Sequence, residues 1–574
     1  MVDPTAPPPP AATRTVLDLL ADRIAVTPQA TAVERGPTRW SYAELGSRVD
    51  AYAGGLLARG VQPGDVVGID GRRDPETVVT ILAVLAAGAV ALPLDPGQSA
   101  LRRQSLLDEA GAKTLVTPPP PPAAGGAPLA PGADDPAYVF FTSGTTGRPK
   151  GILGRHGSLA HFVSWEQRTL DFGPQDRVAQ VAALCFDAVL KDVLPVLLGG
   201  GTLCLPPVDT PFAHPDVVVN WLADERITVA QTVPSVLGAW LDAVAAGDSV
   251  PDLSALRLVC LAGEPLQAAL VRRFRTVFPT FTGRIVNLYG VTEATVLQSW
   301  YEVPADPGDG IQPVGHAIDD VQLLVVGPDG RQCGSGETGE VVIRSPHLTA
   351  GYLHGEPTFM PNPFRDDPGD LVYRTGDLGR LAPDGTLSIV GRLDDQVKIN
   401  GVRVQPAEVA AALSAHPDVA AAVVVARDGA LVGYVVPAPG VTPAHADLRG
   451  HLAERLSSAA VPARFVELDG FPLGENGKVD RAALPEPPDV TAGDDGPLSG
   501  TEQRVATIWT EVLGVPVAGR DQDFFDLGGQ SLTMFQVIAR LSAEFDAEVS
   551  MRQFFEHSTL VELSTLVDRE AGRG

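Results

Sequence analysis

The chain has 574 residues and a formal charge of -27, with 44% apolar and 20% charged side chains. That length exceeds one hydrophobic core and, at about 150 residues per unit, predicts three or four domains. The acidity excludes nucleic acid and anionic membranes as broad partners, so an anionic ligand must be met by local donors.

The opening stretch MVDPTAPPPPAATRT has no apolar run and so predicts no signal peptide. Four cysteines, Cys185, Cys204, Cys260 and Cys333, form no CxxC and no zinc spacing. They read as small buried residues of a reducing cytoplasm. VLDLLADRIAVTP is amphipathic at helical spacing, and RWSYAELGSRVDAYAGGLLARG (39–60) predicts a short strand and then an amphipathic helix. DVVGID (65–70) reads as a strand. Gly88 and Pro93 interrupt the apolar run 78–95, which predicts a buried helix followed by a strand rather than a membrane span. Residues 117–136 are a proline- and glycine-rich connector. AYVFF (137–141) is a buried strand that runs into FTSGTTGRPK (141–150).

Further α/β alternation reaches about residue 300, which predicts βαβ units and a largely parallel sheet. DVQLLVV (320–326) and GEVVIR (339–344) mark a more β-rich stretch, and a compact αβ segment runs from GRLDDQVKI (391–399) to about 484. LPEPPDVTAGDDGPLSG (484–500) is a linker by composition. The pattern then becomes helical only, in TEQRVATIWTEVLGV, SLTMFQVIARLSAEF and TLVELSTLVDRE. Residues 498–574 hold 12 acidic and 6 basic side chains and no lysine.

Ser143, Gly144, Thr145, Thr146 and Gly147, followed by Lys150, supply backbone N–H groups, hydroxyls and one cation after a strand. This is equipment for cradling polyphosphate. No GK[ST] occurs, so the loop is not a Walker A motif. GSGETG (334–339) matches GxGxxG, but a strand-like run follows where a dinucleotide site needs a helix, so it reads as a turn.

YVFFTSGTTGRPKGI closely resembles the phosphate loop of the adenylate-forming (ANL) superfamily, and more narrowly of nonribosomal peptide synthetase adenylation domains. The resemblance continues in order through WSYAEL (40–45), VLAAGAVALPLDP (84–96), CFDAVLKD (185–192), NLYGVTE (287–293), GETGEVVI (336–343), YRTGDL (373–378), GRLDDQVKINGVRV (391–404) and NGKVDR (476–481). DFFDLGGQSL (523–532) resembles a peptidyl carrier protein. The implied fold is α/β: a large N-terminal core (14–391), a small mobile α+β subdomain (392–484), a linker (485–497) and an all-α carrier bundle (498–570).

The resemblance implies ATP and Mg²⁺ as cofactors, with 4'-phosphopantetheine attached to Ser531 by a separate phosphopantetheinyl transferase. It implies that Lys478 touches both the substrate carboxylate and the nucleotide, that Glu293 helps hold Mg²⁺, and that Thr142 and Thr292 belong to the nucleotide site. Tyr289 would stack on adenine with Asn287 near its amine, while Asp377 and Arg392 would meet the ribose. Asp394 would be the hinge about which the loop Lys398–Arg403, with Gly401, swings into the site for thioester formation. Val291 stands where the family usually has proline, which frees its φ.

Asp187 matches the family aspartate that pairs with a substrate α-amino group, so the expected substrate is an amino acid. The pocket transferred by position is Asp187, Ala188, Lys191, Gln231, Cys260, Ala262, Leu288, Val296 and Leu297. If Lys191 faces the pocket, a strongly accepting side chain satisfies it and glutamate or glutamine leads; otherwise it snorkels or pairs with Asp192 or another protein carboxylate. The apolar wall keeps proline or a medium aliphatic residue behind. No HHxxxDG or GxSxG occurs, so the expectation is a free-standing cytoplasmic loading unit that serves a separate condensation or tailoring enzyme. An MbtH-like helper is left open. The competing reading is an acyl- or aryl-CoA synthetase with a helical tail, against which Asp187 and Ser531 both argue.

Overall fold

The computed structural model describes residues 3, 5, 14–120, 122, 129–142, 149–209, 211–247, 249–355, 357–393, 396–427, 429–472, 481–487 and 498–572. Its organising element is a nine-stranded sheet. In spatial order the strands are His316–Ala317, Ser299–Val303, Arg284–Tyr289, Leu258–Ala262, Val229–Thr232, Arg177–Ala179, Thr202–Cys204, Thr31–Arg35 and Thr38–Ser41. The run from Arg284–Tyr289 to Thr31–Arg35 is parallel, as the α/β alternation requires. A second, six-stranded sheet is parallel through Pro136–Thr142, Val90–Leu94, Val66–Asp70 and Thr114–Val116.

The run 78–95 behaves as its composition predicts. Asp74 caps the helix Pro75–Ala86 by accepting from the Thr77 N–H, and Val90–Leu94 is buried at every position. Among the described residues, no helix is long and apolar enough to cross a membrane. An antiparallel sheet follows, in which Leu371–Leu381 pairs with Thr338–Arg344 and Leu387–Arg392. The GSGETG segment leads into that sheet through Gly336 at φ +82°, a turn with no helix behind it.

Beyond it, the hairpin Val397–Ile399/Val402–Val404 precedes a three-stranded sheet of Val419–Arg427, Ala430–Pro437 and Arg464–Glu467. The C-terminal segment has four helices, Gly500–Leu513, Ser531–Phe545, Met551–Glu556 and Leu560–Ala571. The third of these was not expected from the sequence. It has six residues, too few for a visible apolar period, and is held by a Ser550–Gln553 capping box.

This helical bundle and the preceding subdomain share one buried apolar cluster, in which Leu448 and Phe465 join Trp509, Phe524, Phe525 and Phe554. Arg449 is buried at the junction. It donates to Asp523 at 2.9 Å and to Ser558 Oγ at 3.0 Å, and its guanidinium lies 4.4 Å from the centre of the Phe525 ring. Removing Arg449 leaves the Asp523 carboxylate with the Ser558 hydroxyl and backbone N–H groups but without its cation. Arg449→Ala is therefore expected to weaken docking of the bundle by about 3 kcal/mol, on the order of a hundredfold. Small-angle scattering should show a larger radius of gyration; an unchanged radius would contradict this role.

Candidate active site

Three adjacent parallel strands end at Tyr289, Ala262 and Thr232, and a cavity of about 680 Å³ opens beyond them. The carboxyl ends of parallel strands are where such folds gather ligand-binding groups. Ala262, Gln231, Val296 and Leu297 line one end together with Asp187, Ala188 and Lys191 from the start of the helix Ala188–Gly199. Cys260 and Leu288, expected in the same wall, are buried in the core and are not among the lining residues. The Cys260 thiol is pushed up to about 12 by burial, so it is unreactive.

Asp187 carries a carboxyl raised to about 6, chiefly by burial. The Thr292 hydroxyl pulls it back and Glu293 pushes it up. Lys191 does not snorkel: only 3% exposed, it reaches the cavity and donates from Nζ to Gln231 Oε1 at 3.4 Å, while Gln231 Nε2 donates to the Lys191 carbonyl at 2.7 Å. Behind it stands Glu166, a residue the sequence reading missed. Its fully buried carboxyl is raised to about 8 by desolvation, against the pull of Lys191. Asp192, raised to about 6 by burial, accepts from the Val181 and Ala182 N–H groups. Lys191 thus reaches the cavity with Gln231 as its hydrogen-bond partner, while the buried Asp192 and Glu166 carboxyls stand near enough to feel its charge.

On another wall, Asp377 and Arg392 face each other across neighbouring strands and form an ion pair. Asp377 also accepts from the Tyr289 hydroxyl at 2.6 Å. Tyr289 and Asn287 are buried and are not lining residues; the Asn287 amide donates to the Pro313 carbonyl at 2.7 Å. Val291 adopts φ -135° and donates its N–H to Gln298 at 3.0 Å. Proline could do neither, so the valine fits a different local anchoring.

The hairpin 397–404 enters the cavity. Its turn, Asn400-Gly401, has φ of +49° and +77°. A Cβ at Gly401 would meet Val233 Cγ1 at 2.7 Å, so any larger residue needs Val233 to give way and is strained by the left-handed φ. Arg403, on the same hairpin, donates to Glu293 Oε1 at 3.1 Å and to Oε2 at 3.2 Å. The hydroxyl of Tyr352, also missed in the sequence, donates to Glu293 Oε1 at 3.0 Å, and its ring lies 5.0 Å from Lys150 Nζ. Burial would raise the Glu293 carboxyl, but the Arg403 guanidinium overrides it and holds the group below the usual range. Burial lowers Lys398, which also lines the cavity. Thr142 and Thr292 line it too.

At its far end the cavity reaches Leu532 and Phe535, in the helix that begins at Ser531. Gly529 is obligatory before that helix, since a Cβ would lie 2.3 Å from the Phe524 ring. Ser143, Gly144, Thr145, Thr146, Gly147, Asp394 and Lys478 lie outside the described residues.

An ammonium ligand needs Asp187 ionised. The KM of an amino acid is therefore expected to be flat between pH 7 and 8 and to rise about tenfold per unit below about 6. A KM unchanged down to pH 5 would remove Asp187 from ammonium binding.

The AMP-binding enzyme model matches residues 20–130 and 119–353, the AMP-binding enzyme C-terminal domain matches 408–478, and the phosphopantetheine attachment site matches 503–567. Tyrocidine synthase 3 of Brevibacillus parabrevis is 35% identical over 96% of this chain, and the probable non-canonical nonribosomal peptide synthetase CymA of Salinispora arenicola is 36% identical over 98%. The chain spans only 9% and 7% of those two proteins. Among solved structures, holo-PA1221, described as an NRPS protein containing adenylation and PCP domains, superposes with a TM-score of 0.77 at 26% identity over 97% of both chains. The chain belongs to the AMP-binding enzymes and carries a C-terminal phosphopantetheine-attachment domain, in the arrangement of a nonribosomal peptide synthetase adenylation–carrier pair.

Proposed function

We propose that the chain activates an amino acid with ATP, releasing pyrophosphate, and transfers the aminoacyl group from AMP to a thiol borne on Ser531. The carrying observation is the cavity itself, whose lining includes Asp187, Lys191 and Gly401 together with Leu532, the neighbour of Ser531. In the first step the substrate carboxylate attacks the α-phosphate and pyrophosphate leaves. In the second a thiol attacks the mixed anhydride and AMP leaves.

Glu293 offers hard oxygen donors of the kind Mg²⁺ prefers, and Gly401 lines the cavity without a side chain to obstruct a slender arm. When bound, the metal neutralises phosphate charge and the phosphopantetheine arm supplies the thiol. In this chain, Asp187 orients the substrate ammonium. Asp377 and Arg392 hold the ribose, and Lys150 and Lys478 meet the phosphates and the reacting carboxylate. Both Glu293 oxygens face Arg403 in this arrangement, so a metal held there would have to share the carboxylate with the hairpin or displace it. In the proposed cycle the first step runs with the hairpin withdrawn about Asp394, and the second with it inserted. On this reading the body ends near 391, the moving subdomain near 484, and the carrier begins near 498.

Lys191, which lines the cavity with only the Gln231 amide oxygen as its hydrogen-bond acceptor among the described residues, favours an accepting side chain, so glutamate or glutamine leads over proline or a medium aliphatic residue. The partners are a phosphopantetheinyl transferase and a downstream condensation or tailoring enzyme, with room for an MbtH-like protein, in the cytoplasm.

Pyrophosphate exchange across an amino acid panel, followed by intact mass of the holo protein, tests the proposal. Ser531→Ala should abolish covalent charging and leave exchange within about twofold. Arg403→Ala should keep exchange but slow charging by at least about tenfold, the loss of roughly 1.4 kcal/mol from the inserted arrangement. Exchange only with acids lacking an amine would instead mark an acyl- or aryl-CoA synthetase-like ligase.

A further inference from the structure

A second cluster lies away from the cavity. His161 comes from the helix His156–Thr169, Asp320 from the turn before the strand Gln322–Val326, and His347 from the loop after Thr338–Arg344. Their ligand atoms all lie within 4.8 Å of one another. Asp320 Oδ2 is 3.5 Å from His161 Nε2 and 3.7 Å from His347 Nε2. These separations are too long for good hydrogen bonds. They are close to the edge of a coordination tetrahedron with bonds of about 2.1 Å, roughly 3.4 Å.

The side chains of His161 and His347 are only 9% and 5% exposed, and among the described residues neither Nε2 has a hydrogen-bond partner. Buried ring nitrogens are rarely left so. The two rings are stacked, with centroids 3.6 Å apart and planes within 13°. At that spacing two imidazolium charges would repel strongly, so a charged pair is not the resting arrangement. Asp320 sits at φ +61°, a conformation aspartate tolerates, and its side chain is 43% exposed, which leaves a route from solvent.

We propose that His161, His347 and Asp320 form a binding site for a zinc-class divalent cation, distinct from the magnesium role of Glu293. Two imidazole nitrogens and one carboxylate suit zinc, cobalt or nickel rather than magnesium or calcium. A fourth position faces solvent. The parallel rings must splay on binding so that both nitrogens converge on one ion.

The ion's role is to brace. Thr295 Oγ1 donates to the His347 carbonyl at 3.1 Å, and Thr349 Oγ1 donates to the Glu293 carbonyl at 2.7 Å. The segment so held includes Thr295 and Val296 at φ +74° and +66°. A cation behind it opposes relaxation of two left-handed residues that set the pocket wall. This inference does not depend on the amino acid activated.

The test uses the full chain, stripped with EDTA and free of magnesium, titrated with Co²⁺ and followed by visible absorption, then challenged with Zn²⁺. One Co²⁺ per chain with tetrahedral-type bands, displaced by one Zn²⁺, is expected, together with a melting temperature that rises with Zn²⁺. Asp320→Asn, at an exposed position compatible with folding, and His161→Gln should each weaken binding at least about tenfold and remove the rise in melting temperature. Absence of stoichiometric binding, or binding undiminished in both variants, overturns the site.

Discussion

The ion pair between Arg403 and Glu293 sets the terms for the rest of the molecule. Glu293 is 1% exposed, and both its oxygens face one guanidinium. A buried carboxylate left alone would be costly, so it must have a cation in every working state. Arg403 supplies one in the arrangement seen, and on the proposed reading a metal with its phosphates would supply one when the hairpin withdraws. One carboxylate that serves two cations in turn requires that one of them sit on a part that can leave. That requirement fits the proposed rotation of the small subdomain and the left-handed Gly401 at the tip of the inserted hairpin.

The carrier follows the same logic. Its core is continuous with that of the small subdomain, and Arg449 ties the two through Asp523 and Ser558. Subdomain and carrier thus present one packed unit to the cavity, with Leu532 and Phe535 of the helix Ser531–Phe545 in its lining. Charge is allotted with similar economy. Of the 43 basic residues only five are lysine: Lys113, Lys150, Lys191, Lys398 and Lys478. Four of the five fall in the site motifs, where Arg392 and Arg403 also stand in fixed ion pairs. A compact ammonium on a flexible stem can follow a moving anion, whereas the planar guanidinium suits fixed bidentate partners.

Much of this was legible in the sequence because the motifs are local. TGDL and the following GRLDD put Asp377 opposite Arg392 through simple strand pairing, and the buried run 78–95 announced its helix and strand. Glu166, Tyr352 and Arg449 were not legible. Each acts through a partner distant in sequence, and none sits in a pattern that marks it: Glu166 reads as one polar residue in a helix, Arg449 as one more surface arginine. Cys260 and Leu288 were assigned to the wall by position, but both pack in the core cluster and neither lines the cavity. The short helix Met551–Glu556 escaped because six residues carry no period. Val291 was noticed as a departure, yet its reason, an N–H given to Gln298, appears only in three dimensions.

The most direct measurement locks the hairpin in place. With a Cβ built at Gly401, Val233 Cβ lies 3.5 Å away, within the range of a disulfide. In a Val233→Cys/Gly401→Cys variant, oxidised and verified by mass, pyrophosphate exchange should vanish, because Glu293 cannot exchange Arg403 for a metal, and it should return on reduction. Exchange as fast in the oxidised as in the reduced protein would contradict the account.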